Sequence, residues 1–318
     1  MIVVGAPDAS ALDVGAAGLG ATAVAIGKFD GVHVGHRRVL ARLRQLAVQH
    51  SLAPVAVTFD RHPLALLRPD LAPAPVASLA QRLELLEAEG VAATVVLAFD
   101  EEFSRESPEE FVDRVLVGGL DARLVLVGAD FRFGHRGAGD VAALAALGRQ
   151  RGFDVEAVED VIVEERGDRR RASSTWVREL LDAGDVAGAA RVLGRPHRVR
   201  SIVVRGAQRG RALGYPTANL DPAMEGYLPG DGVYAVRVRV RGGQHPGVAS
   251  VGNNPTFRGV PARQAEAHVF DESFDIYGEP IEVEFVELVR PMRRFDDVET
   301  LVAQMHEDAR VARAMLGA

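Results

Sequence analysis

Short continuous apolar runs at residues 22–27, 54–59, 91–99, 123–128 and 153–163 alternate with stretches whose apolar residues recur every three or four positions. Val39, Leu40, Leu43, Leu46 and Ala47 form one such stripe after the first run, and Leu79, Leu83 and Leu86 form another before the third. Strand runs separated by helical stripes predict a parallel sheet with helices on both faces. The ligand site of such a sheet lies beyond the carboxyl ends of its strands.

The period changes after about residue 195. In 232–240, Val236, Val238 and Val240 alternate with Arg237 and Arg239, and in 280–285, Ile281, Val283 and Phe285 alternate with Glu282 and Glu284. Residues 198–205, 246–251 and 264–270 read as further strands between Gly, Pro and Asn turns. Half-buried strands without intervening long helices predict an antiparallel barrel or sandwich. A helix is predicted over 296–316 from the stripe Val298, Leu301, Val302, Met305, Ala309, Ala312 and Met315. Gly194 and Pro196 punctuate the change, so domains are expected at 1–194 and 195–318.

Composition narrows the function classes. The net charge of -7 opposes a bulk nucleic-acid coat. The second part, 196–318, carries 15 basic and 16 acidic side chains, so neither half is basic. Cysteine is absent, which excludes disulfides, thiolate metal sites and cysteine nucleophiles. No apolar run reaches the roughly 20 residues of a membrane span, and the first ten residues carry no basic group of a secretory signal. A cytoplasmic protein, a monomer or weak homo-oligomer that binds neither nucleic acid nor membrane, is the expectation. Lys28 is the single lysine among 37 cations.

That lysine falls in GKFDGVHVGH, residues 27–36, between an apolar strand and a helix. Gly27, Gly31 and Gly35 allow a tight turn and close approach of a ligand, and free N–H groups at a helix start favour an anion. His33 and His36, three apart, share a face of the first helical turn. Two solvated histidines on an ordinary strand-to-helix turn are the plain alternative. A zinc site with His62 is weaker, because no further ligand completes it.

The segment resembles the H-x-G-H signature of the nucleotidyltransferase superfamily, in the G-x-F-D-G-x-H-x-G-H form of prokaryotic FAD synthetases. TFDRHP (58–63), GADFRFGHRGAGD (128–140) and SSTWVR (173–178) are similar to that family's later motifs, in the same order. Arg61 stands where the family usually has proline, Lys28 where an uncharged residue is usual, and Asp130 where some relatives have asparagine. The resemblance implies a Rossmann-like α/β nucleotidyltransferase domain in which FMN phosphate attacks the α-phosphorus of ATP, giving FAD and pyrophosphate. It assigns His33 and His36 to the α-phosphate, Ser174, Thr175 and Arg178 to the polyphosphate, and Gly27, Phe29, Asp30, Gly31, Gly35 and Asp130 to the ATP site. Phe29 and Asp30 shape the adenosine pocket or the turn. From the residues alone, Ser174 and Thr175 read as caps of the helix that carries Val177, Leu180 and Leu181. Lys28 is expected to add positive charge near the triphosphate.

A second constellation, RGAQRGRALGYPTANL (205–220), combines Gly206, Gly210 and Gly214 with Thr217 and Asn219. Glycines spaced around arginines suit a phosphate loop, and two oxygen-bearing side chains two apart suit a hard cation such as Mg2+. A glycine-rich hairpin is an equal alternative on spacing alone. GYPTANL is similar to the G-x-P-T-A-N hallmark of riboflavin kinases, and SVGNNPTF (250–257), EAHVFD (266–271), DIYG (275–278) and RRFDDVETLVAQM (293–305) follow that family's order.

This second resemblance implies a six-stranded antiparallel β-barrel with a C-terminal helix, transferring the γ-phosphoryl of ATP to riboflavin. It selects Glu266 as base, with Mg2+ on Thr217 and Asn219; Arg290 and Arg293 are further candidates to face the flavin product. Over nearly its whole length the chain thus resembles prokaryotic bifunctional riboflavin kinase/FAD synthetases, with riboflavin, FMN, FAD and ATP as ligands. The alternatives are a riboflavin kinase with an inactive first domain, and a flavin-binding sensor without turnover.

Overall fold

The computed structural model describes residues 1–6, 18–206, 215–252, 263–272 and 275–318. By their contacts they form two compact units, Met1–Glu164 with Asp168–Ala172, and Glu165–Gly167 with Ser173–Ala318.

The first unit is built on β1 (Ile2–Ala6), β2 (Thr22–Ile26), α1 (Val34–His50), β3 (Ala53–Phe59), α2 (Pro63–Leu67), α3 (Leu79–Ala88), β4 (Ala93–Leu97), α4 (Pro108–Phe111), β5 (Ala122–Gly128), α5 (Val141–Arg151) and β6 (Asp154–Val158). Its six strands are all parallel, in the order β1-β4-β3-β2-β5-β6. Strand alternation splits the core into two layers. Val24, Val55, Val95 and Val125 face Leu116 and Leu144 on one side, while Ala23, Ala25, Ala56 and Leu126 face Leu40 and Leu43 of α1 on the other. Both sheet faces are therefore covered, as the continuous apolar runs require.

Two sequence expectations change here. The run 153–163 is not one strand: it breaks after Val158, and β7 (Ile162–Glu165) leaves the sheet to pair with β8 (Asp168–Arg171). Arg166 and Gly167 both adopt positive φ between them, the primed turn that suits a tight hairpin. β1, absent from the sequence reading, adds a parallel edge strand beside β4.

The second unit contains α6 (Ser174–Asp182), α7 (Val186–Leu193), β9 (His197–Val204), β10 (Ala218–Leu220), β11 (Gly232–Val240), β12 (Gly243–Gly252), β13 (Gln264–Val269), β14 (Pro280–Pro291) and α8 (Val298–Leu316). The six strands close as a barrel, β10-β13-β12-β11-β14-β9, with antiparallel neighbours. The alternation in β11 and β14 puts Val236 opposite Phe285 and Val238 opposite Val283, all buried. Helices α6 and α7 group with this barrel rather than with the parallel sheet, so the contact division falls at Ser173.

The terminal helix corrects its predicted stripe. Val298 and Met315 are exposed, whereas Asp308 is buried and takes a bidentate ion pair from Arg290 at 2.7 Å. Gln304 donates to the same carboxylate at 2.7 Å. Arg290 is therefore a tie between β14 and α8, and Arg293 lies over the Phe295 ring at 4.5 Å.

One buried histidine makes the barrel pH-sensitive. His197 Nε2 donates to the Tyr227 carbonyl at 2.6 Å, and burial lowers its pKa from 6.5 to about 4. Between those values the unfolded chain holds a proton that the folded chain does not. Stability is thus complete above pH 6.5 and declines as pH falls toward 4, by roughly 3 kcal/mol in all. The melting temperature of the second unit is expected to fall across that window and to fall less in His197→Gln; equal slopes would contradict this role.

Candidate active sites

In the first unit, the strand order reverses at β2, which pairs with β3 on one side and β5 on the other. Ligands of open parallel sheets bind outside the carboxyl end of such a strand. The turn that leaves β2 there is conformationally costly. Phe29 and Val32 have φ of 48 and 40, in a region where non-glycine residues cost about 1–3 kcal/mol each. Burial of both side chains to 1% exposure offsets that strain. The Asp30 carboxylate accepts from the backbone N–H groups of Val76 and Ala77 at 2.8 and 3.2 Å, so it fixes the turn to the chain entering α3.

The turn delivers His33 as the N-cap of α1 and His36 into its first turn, with the two rings stacked at 3.7 Å between centroids. His36 also meets the Phe29 ring edge-on at 5.2 Å. Gly35 leaves room for this stack, because a Cβ there would lie 3.0 Å from the His33 ring and press on it. The start of α1 has no side-chain cap hydrogen bond and no acidic residue in its first turn. Its N–H groups and dipole therefore favour an anion, worth about 0.3–1 kcal/mol at an exposed end.

Lys28 is exposed, with Nζ 3.5 Å from His62 Nε2. His62 Nδ1 caps α2 by accepting from Leu64 N–H. His62 is thereby committed to α2, and no cluster of three metal-ligating His, Asp or Glu residues occurs among the described residues. Asp130, just beyond β5, accepts from Arg171 at 2.7 Å. Arg61 pairs with its neighbour Asp60 at 2.9 Å.

Ser174, Thr175 and Arg178 belong to the second unit, on α6. The expected cap is corrected. Ser173, in extended conformation, accepts from Trp176 N–H at 3.2 Å, and Ser174 and Thr175 are the first helical residues. Their hydroxyls are not the cap because the Ser173 side chain already takes the N3 amide.

In the barrel, β10 is only three residues long, yet it sets the second site. Asn219 lies directly opposite Glu266 of β13, and Ser250 of β12 lies opposite Glu266 on the other side. Directly opposed residues of antiparallel strands share a sheet face. Thr217 Oγ1 donates to Glu266 Oε2 at 3.1 Å, so Thr217, Asn219 and Glu266 form one cluster of oxygen donors. A Cβ on Gly206 would collide with the Asn219 amide, so a larger residue there would displace that side chain. Gly210 and Gly214 lie outside the described residues.

Supporting groups that the sequence reading left unassigned stand beside this cluster. His268 is two residues beyond Glu266 on the same face, and its Nδ1–H donates to the Pro216 carbonyl at 2.8 Å. Burial pushes its pKa below the ordinary value, so the ring is neutral near pH 7. The Tyr215 hydroxyl shares a 2.5 Å hydrogen bond with His306 Nδ1 of α8. Alternation within EAHVFD was the signal for His268; nothing local marks the contact with His306, 91 positions away.

The family description "FAD synthetase" matches residues 17–175, and "Riboflavin kinase" matches 193–316. Named relatives carry both activities. The chain is 40% identical to the bifunctional riboflavin kinase/FMN adenylyltransferase of Pseudomonas fluorescens over 91% of both chains. It is 36% identical to that of Haemophilus influenzae, over 92% of this chain and 93% of the relative, and 36% identical to that of Escherichia coli K12, over 92% of each. Among solved structures, a Streptococcus pneumoniae protein described as a macrolide-efflux protein superposes with TM-score 0.86 at 32% identity, covering 98% of this chain and 99% of that one. Among the described residues no helix is long and apolar enough to cross a membrane. With both domains matched in order and relatives of this identity aligned over nine-tenths of its length, the chain belongs to the family of bifunctional riboflavin kinase/FMN adenylyltransferases.

Proposed function

We propose that riboflavin phosphorylation runs at Thr217, Asn219 and Glu266 of the barrel, and FMN adenylylation at the turn carrying His33 and His36. The observation that carries this reading is the register of β10 on β13, which sets Asn219 across from Glu266 with Thr217 hydrogen-bonded to the same carboxylate. An alcohol attacks phosphorus better when its proton is accepted as the bond forms, and Glu266 is the carboxylate in that cluster able to accept it. The oxygen-only donor set of Thr217 and Asn219 fits Mg2+, which when bound supplies charge neutralisation for ATP phosphates. The family resemblance supports Gly206, Gly210 and Gly214 as ATP-binding residues of this site.

Adenylylation makes a different demand. The attacking FMN phosphate, with a second pKa near 6, is already mostly dianionic at pH 7 and needs no protein base. Alignment and positive charge at the α-phosphorus are what the protein supplies. His33, His36 and the open start of α1 fit that role, with Gly27, Phe29, Asp30, Gly31 and Gly35 shaping the turn. The family resemblance, rather than any contact, supports Asp130, Ser174, Thr175 and Arg178 as ATP groups. Lys28 adds a cation beside His62. The activities divide at 1–194 and 195–318, in a cytoplasmic monomer or weak homo-oligomer; the cysteine-free composition suits that reducing compartment.

Titrating ATP and Mg2+ in both reactions tests the assignment of the phosphate-binding groups. Asn219→Ala is expected to raise the Mg2+ needed for half-maximal phosphorylation about tenfold and leave adenylylation unchanged. Lys28→Ala is expected to raise the KM for ATP in adenylylation alone. Unchanged Mg2+ demand in the first variant, or unchanged KM and turnover in the second, removes that residue from its site.

A further inference from the structure

We propose that Arg82 is a positioning residue for adenylyl transfer, a buried cation that holds the turn after β2 and the loop after β3 in one arrangement. The inference rests on the reading that the turn carrying His33 and His36 is the adenylylation site.

Arg82 sits on α3 at 6% exposure. Its Nη1 lies 3.0 Å from the Lys28 carbonyl, 3.0 Å from Thr58 Oγ1 and 2.9 Å from the Phe59 carbonyl. Thr58, fully buried, donates its own hydroxyl to the Lys28 carbonyl at 3.1 Å. One guanidinium nitrogen therefore ties the backbone of the histidine-bearing turn to the end of β3, which leads to His62. A second tie runs from the same turn to the segment before α3, through Asp30 and the amides of Val76 and Ala77. Asp60, at the start of the β3 loop, accepts from Phe99 N–H at 2.9 Å and so fixes that loop to the chain after β4.

Burial costs this cation much of its hydration. It pulls the Arg82 pKa below the ordinary arginine value, while the charges of Asp30 and Asp60 act in the opposite sense. Arg82 Nε is buried without a hydrogen-bond partner among the described residues. If the position served packing alone, an apolar side chain of similar volume would do so without that desolvation cost. A methionine, however, cannot hold two carbonyls and a hydroxyl of two loops at fixed separation. Small displacements of groups that align a reaction are expensive in rate, with about 1 Å costing on the order of 100-fold.

The test measures kcat and KM for FMN adenylylation in the full chain, with riboflavin phosphorylation as the control for folding. In Arg82→Met, adenylylation kcat is expected to fall at least about 30-fold, while KM for ATP and FMN changes less than about threefold. Arg82→Lys, which keeps a compact cation with three donors, is expected to recover to within about fivefold of the wild type. Thr58→Val, close in shape, is expected to lower kcat about fivefold. Phosphorylation stays within about twofold throughout, since the barrel is untouched. Wild-type kcat in Arg82→Met, with only a lower melting temperature, overturns the proposal. If Arg82→Met fails to fold, wild-type kcat in Thr58→Val overturns it instead. His36→Ala separates the two levels: if that variant keeps adenylylation, the site reading falls and this proposal with it. If it loses adenylylation while Arg82→Met and Thr58→Val keep theirs, only the role of Arg82 falls.

Discussion

Glu266→Gln is expected to slow riboflavin phosphorylation by roughly 100-fold or more, the scale of a lost general base, or about 3 kcal/mol of barrier. The amide keeps the shape of the carboxylate and can still accept from Thr217, so the cluster around Asn219 is preserved. What it cannot do is take the proton from the riboflavin hydroxyl. FMN adenylylation by the same variant is expected to stay within twofold, because the attacking phosphate needs no base. A variant that phosphorylates riboflavin at the normal rate leaves Glu266 as an ordinary strand carboxylate.

His36→Ala is expected to have the opposite signature. Removing one preorganised donor from a charge-stabilising site costs on the order of 100-fold in turnover. The ring also packs on His33 and Phe29, so its loss frees the partner whose position depends on the stack. Adenylylation should therefore fall in kcat more than in KM, with phosphorylation unchanged. Steady-state rates with FMN as substrate check this, and normal turnover would exclude His36 from the reaction.

The two sites were unequally legible in the sequence. His33 and His36 are three apart at the start of one helix, so spacing alone placed them on a common face; the turn glycines were read as room for a ligand, whereas Gly35 makes room for the His33 ring. Glu266 was different. Nothing local distinguishes it from other strand carboxylates, and the family resemblance selected it. The structure pairs positions 47 residues apart and so brings Asn219 opposite Glu266. Register between distant strands depends on closure of the whole barrel and cannot be read from either segment.

The fold shows the same division. The strictly alternating β11 was recovered to the residue because one face must be buried, whereas β14, read as 280–285, runs on to Pro291 past register shifts that break its alternation. The three-residue β10 is too short to show a period. The stripe on α8 counted apolar residues and so passed over Asp308, whose burial makes sense only with Arg290 beside it. Ser173 was passed over as a cap for a related reason: any of three adjacent hydroxyl residues satisfies the sequence rule, and backbone conformation chooses among them.

The most direct test of two separate reactions on one chain is chromatography of riboflavin incubated with Mg-ATP and the wild type, His36→Ala or Glu266→Gln. Wild type should yield FMN and then FAD, His36→Ala should stop at FMN, and Glu266→Gln should leave riboflavin unchanged yet convert supplied FMN to FAD. Loss of both activities in either folded variant would contradict separate sites.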